Sequence, residues 1–455
     1  MSADIEILRK NALAIFQAGI IAADPYIAVK QCLSVNKNHL EIALKQNFEK
    51  RVGNWSKIHL IAFGKAACAM AKAAQEIIPE STLACAIAVT NYENVQEIEN
   101  LEILGASHPL PDENGYQAAQ RITEQLKTAQ QDELVLVLIS GGGSALLPYP
   151  VGGISLEEKI STTDLLLACG VTINEINCVR KHLSQLKGGR LTQLAYPADV
   201  HALILSDVLG DDLSAIASGT TVADDSTYTD AITVFKSRQV WDRVPINVQK
   251  VLEEGVQGKR EETPKSDNPS FKNSATTLVG SNAISVTAMI NTAKEQGYQA
   301  KLYSDNLNGE ARDEADKLAL YVKQLIEAGI KKPIALLAGG ETTVTLKGKG
   351  KGGRNQEMAL AFALASEKYA LPNCWTFLSG GTDGIDGTSP AAGGIVDAES
   401  VQRMKQAKLN PSNELNNNNS YIALEKSEDL IMTGATGTNV ADLQIVLIQP
   451  CVIKP

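Results

Sequence analysis

The sequence lacks the residue patterns that usually indicate zinc, disulfides or a membrane span. Its five histidines show no HExxH or zinc-finger spacing, which argues against a structural zinc site. Its seven cysteines form no CxxC pair and are odd in number, a pattern typical of reduced thiols in the cytoplasm. The apolar runs are strand-sized, and the first ten residues carry acids without an apolar core segment. We therefore expect a cytoplasmic protein without a membrane span or secretory signal.

Excess positive charge is also missing. The formal net charge is −10 at pH 7, which excludes a general affinity for nucleic acid or anionic membranes. The expected partners are therefore small molecules. Apolar residues make up 44% and charged residues 21% of the 455 positions, as in ordinary soluble proteins of two or three domains.

Two common catalytic motifs are absent. The sequence contains no GxxxxGK[ST], so a nucleotide would have to be held by another scheme. It also contains no GxSxG elbow, and Ser144 without a recognisable base is a poor nucleophile candidate. Phosphoryl transfer needs little covalent chemistry from the protein, so these absences do not exclude it.

A buried strand that ends in a glycine-rich loop is the most informative stretch. Leu134–Ile139 is an unbroken apolar run, as in a strand buried on both faces. It leads into Gly141, Gly142, Gly143 and Ser144, whose backbone N–H groups can turn toward an anion or phosphate. In open parallel sheets, ligands bind at the carboxyl ends of the strands, where this loop lies. An ordinary glycine-rich turn is the alternative.

Two further predicted strand ends in the first half carry charged residues. Lys65 follows the predicted strand Ile58–Phe63 and opens a predicted helix, where an ammonium and a helix N-terminus can together hold an anion. Asp207 follows a predicted strand at 201–205, a position where α/β enzymes commonly hold Mg²⁺. The alternative for Lys65 is a solvated lysine at a helix start, and the alternative for Asp207 is a solvated acid in a turn. His108 has no recognisable partner that would make it a base.

Further candidates follow other predicted elements. Residues 173–191 are predicted to be helical, and Lys187 in the terminal KGGR is both a helix C-cap signal and a candidate anion contact. In the second half, predicted strands run into Asn282, Glu341 and Asp383. Asn282 and Glu341 are candidate substrate contacts, and Asp383 joins Asp207 as a candidate Mg²⁺ ligand. A solvated turn is the alternative for each acid.

A basic loop precedes a predicted helix in the second half. After a short predicted strand at 343–346, Gly348, Gly350 and Gly353 formally satisfy GxGxxG. A dinucleotide fingerprint is disfavoured, because the preceding run is short and no acid lies about 20 residues further on. The lysines among the glycines suit a mobile loop that closes over phosphate, and Arg354 can bind an anion in bidentate fashion. A surface salt bridge is the alternative for Arg354.

Periodicity and composition also predict the domain organisation. Apolar spacing predicts helices at 7–22 and 39–52. The fold class expected is α/β, with two α/β domains: a Rossmann-like, mostly parallel sheet in 1–250 and a mixed sheet in 276–455. A polar segment at 251–275 is the predicted linker. Glycines with Ser, Thr, Asp or Lys at strand ends in both halves suit an active site in the cleft between the domains.

The order of these motifs resembles one known family. The motifs are GKAA (64–67), HPLPDENG (108–115), LISGGGSALL (138–147), INCVRKHLSQLKGGRL (176–191), SDVLGDDLSAIASGTT (206–221), LAGGETTVTL (337–346), GKGGRNQEMAL (350–360), GGTDGIDGTSPAAGGIVD (380–397) and TGATGTNVADL (433–443). Together they cover most of the chain and resemble the class II glycerate kinases with a MOFRL C-terminal domain. Family members generally have proline where this chain has Thr220 and Ala435, which leaves two loops less constrained.

The resemblance implies an ATP- and Mg²⁺-dependent kinase of D-glycerate that usually forms 2-phosphoglycerate. Lys65 and Arg354 match the family's catalytic basic residues and would neutralise the transferring phosphoryl group or the substrate carboxylate. The amides of 141–144 would hold phosphate or that carboxylate. Asp207, with Asp383 or Glu341, would coordinate Mg²⁺ or orient the attacking hydroxyl.

Two other functions stay open at this stage. A hydroxypyruvate reductase would bind NADH or NADPH, and the formal GxGxxG match supports it superficially. A non-catalytic protein that binds a sugar acid or nucleotide is the third. The sequence leaves undecided which hydroxyl is phosphorylated and which hydroxy acids are accepted. A homodimer is a further expectation.

Overall fold

The chain divides into two compact units. The computed structural model describes residues 3–37, 39–44 and 49–450. The first unit is Pro25–Val279, and the second contains the residues through Asp24 together with those from Gly280 onward.

Helices and strands alternate through most of both units. The helices are α1 (Ala3–Ala22), α2 (Pro25–Cys32), α3 (Ala67–Gln75), α4 (Glu113–Leu126), α5 (Gly143–Leu146), α6 (Leu156–Ala168), α7 (Ile173–His182), α8 (Arg190–Ala195), α9 (Tyr228–Ser237), α10 (Ile246–Val256), α11 (Asn282–Glu295), α12 (Ala311–Glu327), α13 (Arg354–Lys368), α14 (Ser400–Gln406), α15 (Pro411–Asn416) and α16 (Ser420–Lys426). The strands are β1 (Leu33–Asn36), β2 (His39–Leu44), β3 (Glu49–Val52), β4 (Ile58–Phe63), β5 (Leu83–Asn91), β6 (Glu102–Ala106), β7 (Leu134–Ile139), β8 (Asp199–Leu205), β9 (Ser274–Gly280), β10 (Gln299–Leu307), β11 (Ile334–Gly340), β12 (Trp375–Gly381), β13 (Gly393–Asp397), β14 (Leu430–Ile431) and β15 (Asp442–Ile448).

A six-stranded sheet forms the centre of the first unit. Its order is β6-β5-β4-β7-β8-β9, and the pairs β5–β6, β4–β5, β4–β7 and β7–β8 are parallel. Every residue of β4 and β7 is buried, which explains their continuous apolar runs. The chain leaves β4 toward β5 on one side, whereas β7 lies on the other side. The carboxyl ends of β4 and β7 therefore form a topological switch point, where open α/β sheets bind ligands.

A second six-stranded sheet forms the centre of the other unit. Its order is β10-β11-β15-β12-β13-β14. The β10–β11 pair is parallel, and the remaining pairs are antiparallel. The rings of Phe362, Trp375 and Phe377 pack together in its core. The predicted fold class is thus confirmed: one sheet is parallel in the four strand pairs from β6 to β8, and the other is mixed. The predicted cleft between the domains stays a prediction.

The amino-terminal helix does not follow the predicted boundaries. Leu8, Ile15 and Phe16 of α1 are buried in one cluster with Met289 and Leu443. The amino terminus therefore belongs with the second unit and not with a domain at 1–250. This arrangement follows from the apolar face of α1, which needs a partner surface wherever in the sequence that surface is encoded.

The predicted linker is part of the first unit. Within 251–275, Val251 and Leu252 are buried. Glu262 hydrogen-bonds His182 at 2.8 Å, and the Lys265 ammonium donates to the Asp224 carbonyl at 2.8 Å. These contacts, together with β9, hold the segment against the rest of the unit that ends at Val279.

The helix predicted at 39–52 is wrong. β2 pairs with both β1 and β3 in an antiparallel three-stranded sheet. The apolar positions fit helical spacing, but pairing between strands decides the conformation of short amphipathic segments. Positions 45–48 of the predicted helix lie outside the described residues.

Two smaller predictions are also corrected. The helix predicted over 173–191 ends at His182, and Gly188 and Gly189 have φ of +59° and +81° before α8 begins. The KGGR segment therefore leads into α8, with Gly189 as its N-cap and Arg190 as its first residue, instead of ending the preceding helix. The predicted strand at 343–346 is a loop in which Thr343 makes one isolated bridge to Glu310.

The cysteines differ from expectation at one position. Cys374 is disulfide-bonded, so the prediction of seven reduced thiols is wrong there; spatial proximity, which sequence spacing does not reveal, decides such pairing. Five cysteines in the described residues are free, and Cys451 lies outside them.

Among the described residues, no single helix is long and apolar enough to cross a membrane. Residues of α1 and α2, which meet at a bend of 59°, satisfy the length and composition criteria only as a pair.

Candidate active site

The glycine-rich loop after β7 is surrounded by charged side chains of the first unit. A Cβ atom on Gly142 would lie 3.0 Å from the His108 ring and 3.4 Å from the Lys65 side chain, and one on Gly141 would meet the Asp207 carboxylate. Gly142 also has φ of +84°, a conformation that glycine adopts without strain. The missing side chains thus let Lys65, His108 and Asp207 approach one loop.

Lys65 has a fixed backbone and a free ammonium. Its N–H donates to the Gly141 carbonyl at 2.9 Å. Its own carbonyl accepts from the Thr90 hydroxyl at 3.2 Å and from the Asn94 amide at 3.0 Å. The side chain is exposed and forms no hydrogen bond or ion pair with the described residues. The structure thus presents a positive charge from the carboxyl end of β4 and keeps it available.

Asp207 is a carboxylate in a poorly hydrated position. Burial raises its pKa, and the nearby charge of Lys65 acts in the opposite direction. No other side chain in the described part of the chain hydrogen-bonds this carboxylate. Asp207 therefore keeps oxygen atoms available for a cation or a hydroxyl group.

A cavity of about 430 Å³ opens beside the glycine-rich loop. Its wall includes Ser144, Asn177, Arg180, Lys187 and Asp207. Lys187 is 1% exposed, and its ammonium is a buried group without a hydrogen-bond partner in the described residues. Burial and the charge of Arg180 lower the pKa of Lys187 to about 7. Of the residues predicted in the first unit, the structure brings Lys65, Asp207, Lys187 and the glycine-rich loop to one place.

Sequence interpretation missed several residues of this wall, Arg180 and Asn177 among them. Both lie on α7, one turn apart at positions i and i+3, so they share a helix face. The helical period of this segment was the available signal.

The segment after β8 carries unusual backbone conformations. Ala217 and Ser218 have φ of +49° and +57°, and Gly219 follows with +63°. Non-glycine residues in this region cost of the order of 1–3 kcal/mol, and such strain clusters at functional sites. The buried Thr220 hydroxyl has no hydrogen-bond partner among the described residues. Ala217 lies against Gly143, so the strained segment forms part of the same site.

Arg354, in the second unit, is held by carboxylates. Its Nε and Nη2 donate to the two carboxylate oxygens of Asp442 at 2.6 and 3.0 Å, and its Nη1 lies 2.8 Å from Glu341. Burial alone would lower the pKa of Arg354, but the hydrogen bonds and charges of these acids raise it. The ion pair that was the alternative to anion binding therefore exists. Anion binding by the half-buried guanidinium stays a prediction.

Asn282 also contacts this group. Its amide nitrogen donates to the carbonyls of Val440 and Asp442 at 2.8 and 3.0 Å. Its buried amide oxygen lies against Gly339 and has no hydrogen-bond partner among the described residues. Asn282 therefore fixes the chain beside Asp442, which sequence interpretation did not single out. Direct contact with substrate stays a prediction.

The basic loop between β11 and α13 is held in place by asparagines. The Asn418 side-chain oxygen accepts from the backbone N–H groups of Lys347 and Gly348 at 2.7 and 2.9 Å. Asn417 and Asn419 accept further N–H groups of this loop. A Cβ atom on Gly348 would meet the Asn417 backbone, so the glycines make room for protein. The expectation of a mobile loop does not fit these hydrogen bonds.

Two acids follow β12. Asp383 accepts from the Ile385 N–H at 3.0 Å, and burial raises its pKa. Asp386 accepts from the backbone N–H groups of Asn355 and Gln356 at the start of α13, and burial raises its pKa to about 6. Asp386 therefore serves the helix start, whereas Asp383 keeps one carboxylate oxygen free of hydrogen bonds in the described residues.

The acids are compatible with Mg²⁺ but do not form a complete cage. In the described ranges, no three His, Cys, Asp or Glu side chains form a group that could hold a metal ion. Mg²⁺ commonly takes only one or two carboxylates and completes its shell with water and substrate phosphates. The open carboxylate oxygens of Asp207 and Asp383 fit that requirement, each within its own unit.

Comparison with known proteins places the chain in a family. One family model, described as a domain of unknown function (DUF4147), matches residues 11–253, and the MOFRL family model matches residues 334–442. The chain is 40% identical over 445 residues to the glycerate 2-kinase of Pyrococcus horikoshii, with 97% of each chain covered. It is 39% identical over 438 residues to an Agrobacterium vitis protein that is named only provisionally, as a hydroxypyruvate reductase; 95% of this chain and 93% of that protein are covered.

A solved structure agrees with these matches. The crystal structure of a glycerate kinase from Thermotoga maritima has a TM-score of 0.86 and 40% identity, with 97% of this chain and 100% of the other covered. Coverage of this extent includes both units. The chain belongs to the class II glycerate kinase family.

Proposed function

We propose that this protein transfers the γ-phosphoryl group of ATP to the 2-hydroxyl group of D-glycerate, in a reaction that requires Mg²⁺. The observation that carries the proposal is the 40% identity to a named glycerate 2-kinase over 97% of both chains. The charge arrangement of the first unit supports it. A free lysine, a glycine-rich loop and an available carboxylate suit a reaction that depends on positioning and charge.

In this proposal, Lys65 stabilises the transferring phosphoryl group. Its ammonium has no hydrogen bond or ion pair with the described residues and projects from a backbone that Gly141 and Thr90 hold in place. Because the backbone is already ordered, little reorganisation is needed when negative charge develops in the transition state. The amides of 141–144 hold an adjacent oxyanion.

Arg354, in the second unit, is the proposed second cation that binds an anion, and Asp442 holds its guanidinium in place. The bidentate pair fixes the plane of the guanidinium, and the contact to the exposed Glu341 is the one that an incoming anion can replace. Exposed ion pairs contribute little stability, so this exchange costs little.

Asp207 and Asp383 are the proposed Mg²⁺ ligands. When bound, the ion neutralises negative charge on the nucleotide phosphates. The chain's own contribution is to orient the attacking hydroxyl through Asp207 and to keep Lys65 near it. The hydroxyl oxygen bonds to the γ-phosphorus, the bond to the β-phosphate oxygen breaks, and the hydroxyl proton is released as ADP leaves.

The reductase alternative finds little support in the loop geometry. The space beside Gly348 and Gly353, two of the three glycines in the formal GxGxxG match, is filled by Asn417 and Asp386. A dinucleotide-binding loop instead leaves its glycine positions open to the pyrophosphate.

The test is an ADP-release assay with D-glycerate, ATP and Mg²⁺, in which ³¹P NMR resolves 2- from 3-phosphoglycerate. We expect D-glycerate-dependent ADP release and 2-phosphoglycerate as the product. Hydroxypyruvate-dependent oxidation of NADH or NADPH without ADP release would overturn the proposal. A 3-phosphoglycerate product would overturn the assignment of the hydroxyl only.

A variant pair tests the role of Lys65. Lys65→Ala should lower kcat by roughly 10²–10³-fold, because a charge aimed at the transferring group is lost. Lys72→Ala is the matched control, since Lys72 is exposed and lies on α3, the helix that follows Lys65. Near wild-type turnover in Lys65→Ala would remove this residue from the mechanism.

A further inference from the structure

The Lys187 ammonium is a buried charge that needs a partner. The residue is 1% exposed and lines the cavity, and no described group accepts a hydrogen bond from its Nζ atom. A buried charge without a partner is unfavourable, because the protein does not replace the water that the charge has lost. An anion in the cavity would remove that cost, and the pKa of about 7 means that the ammonium is readily charged when an anion binds.

A second cation lies on the same wall. Arg180 lines the cavity and forms no hydrogen bond or ion pair with the described residues, and its charge acts on Lys187. Lys159 differs, because its ammonium donates to the Leu183 carbonyl at 2.7 Å. The carboxylates on the wall, Asp164 and Asp207, are not hydrogen-bonded to either free cation. Lys187 and Arg180 are therefore two cations on one cavity wall that have no hydrogen-bonded partner among the described residues.

A chain of hydrogen bonds gives the Ser144 hydroxyl a defined direction. The Asn177 amide nitrogen faces the Ala215 carbonyl, so its oxygen accepts the Ser218 hydroxyl proton at 3.0 Å. Ser218 has then no proton left for Ser144, which lies 2.7 Å away. Ser144 must donate to Ser218, and its remaining lone pairs can only accept. The half-buried Ser144 lines the same cavity.

We propose that this cavity is the hydroxy-acid subsite: Lys187 and Arg180 bind the carboxylate, and Ser144 accepts a hydrogen bond from a hydroxyl of the same molecule. The inference rests on the proposed function and assigns the acid, not the nucleotide, to the first unit's cavity. Lys187 and Arg180 can donate to a carboxylate, and Ser144 can accept from a hydroxyl group. A hydroxycarboxylate has both groups. A phosphate group that is fully ionised would gain nothing from Ser144, because it has no proton to donate.

The test is isothermal titration calorimetry of the full-length protein with D-glycerate and, separately, with ADP. We expect Lys187→Met and Arg180→Gln to weaken D-glycerate binding by about 10- to 100-fold, the size of a lost charge-assisted hydrogen bond. Ser144→Ala should weaken it by about 5-fold. ADP affinity should change less than 2-fold in all three. Arg243→Gln, an exposed position of the same unit, is the matched control.

The outcomes separate this inference from the proposed function. Loss of ADP affinity instead of D-glycerate affinity would overturn it and assign the cavity to the nucleotide. Wild-type turnover of D-glycerate with unchanged D-glycerate affinity in Arg180→Gln and Ser144→Ala would also overturn it, even if Lys187→Met failed to fold. If the wild type neither binds D-glycerate nor turns it over, both proposals are overturned.

Discussion

Three buried histidine and lysine side chains of the first unit illustrate how the immediate surroundings set a residue's charge. Burial and the charge of Arg51 lower the pKa of His201 to about 3, so this histidine is neutral. Burial lowers the pKa of Lys187 as well. His182 is the exception: burial alone would lower its pKa, but hydrogen bonds to the Cys178 carbonyl and Glu262 raise it to about 9. A buried charge persists only where partners replace water.

His182 predicts a pH-dependent term in stability. Its pKa is higher in the folded state than the ordinary 6.5, so its contribution is complete below about pH 6.5 and is lost as pH rises through about 9. Glu262, with a pKa lowered to about 2, contributes above about pH 4.5 and loses its contribution as pH falls toward 2. The pair therefore stabilises most between about pH 4.5 and 6.5.

The measurement is urea unfolding of the wild type and His182→Gln between pH 6 and 9.5. The difference in unfolding free energy should be largest near pH 6.5, on the order of 1–3 kcal/mol, and should shrink toward pH 9.5. Using the difference cancels the contribution of Lys187, which has the opposite sign in this range. A difference that stays constant with pH would contradict the assignment.

At the scale of elements, short polar segments position the loops of the second unit. Asn418, two positions after the end of α15, accepts two loop N–H groups and donates to the Glu357 carboxylate at 2.9 Å. Glu357 in turn accepts from Arg312 at 2.6 Å. Asn418 is thus a buried connection between the basic loop, α12 and α13.

Replacement of Asn418 should release the basic loop. Asn418→Ala removes the acceptor of two backbone N–H groups and leaves the buried Glu357 with one partner fewer, so we expect a loss of about 1–3 kcal/mol. Hydrogen–deuterium exchange should become faster in residues 347–353. Asn416→Ala, an exposed position on α15, is the control. Unchanged exchange in the loop would show that other contacts hold it.

At the scale of the whole molecule, α1 completes the second unit. Arg9 reaches Asp397 and Asp429 at 2.6 and 2.7 Å, where Arg403 also binds both acids. Phe16 lies against Gly380, where any side chain would collide with its ring. The first helix of the chain therefore packs on the strands formed by the last segments.

Phe16→Ala tests this assignment. Removal of the buried ring should lower the free energy of unfolding by about 3–5 kcal/mol. Amide hydrogen–deuterium exchange should become faster in β12 and β15 more than in β4 and β7, because the second unit loses the packing of the Phe16 ring. Leu13→Ala, at a position of α1 that is 40% exposed, should have a small effect. Equal acceleration in both sheets would contradict the division into units.

Several features were predictable because they depend on local sequence. The strands Ile58–Phe63 and Leu134–Ile139 were predicted with their observed bounds, since strands buried on both faces must be apolar throughout. The glycine-rich loop and Lys65 were placed correctly at strand ends for the same reason. The roles of these residues in binding stay predictions.

Other features depend on contacts between distant residues. The bidentate partner of Arg354 is Asp442, 88 positions away, and no local pattern connects them. The strands at 39–52 needed their neighbours to be recognised, because the same apolar spacing fits a helix.

The sequence by itself determined the strand cores, the positions of the anion-binding candidates and the family, because buried strands, glycine turns and ordered motifs are local in the chain. Tertiary structure alone decided that α1 belongs to the second unit, that asparagines hold the basic loop, and that Lys187 and Arg180 share a cavity without partners among the described residues. These facts depend on which surfaces meet after folding, and hydrophobic burial rewards such contacts whatever the separation of the residues along the chain.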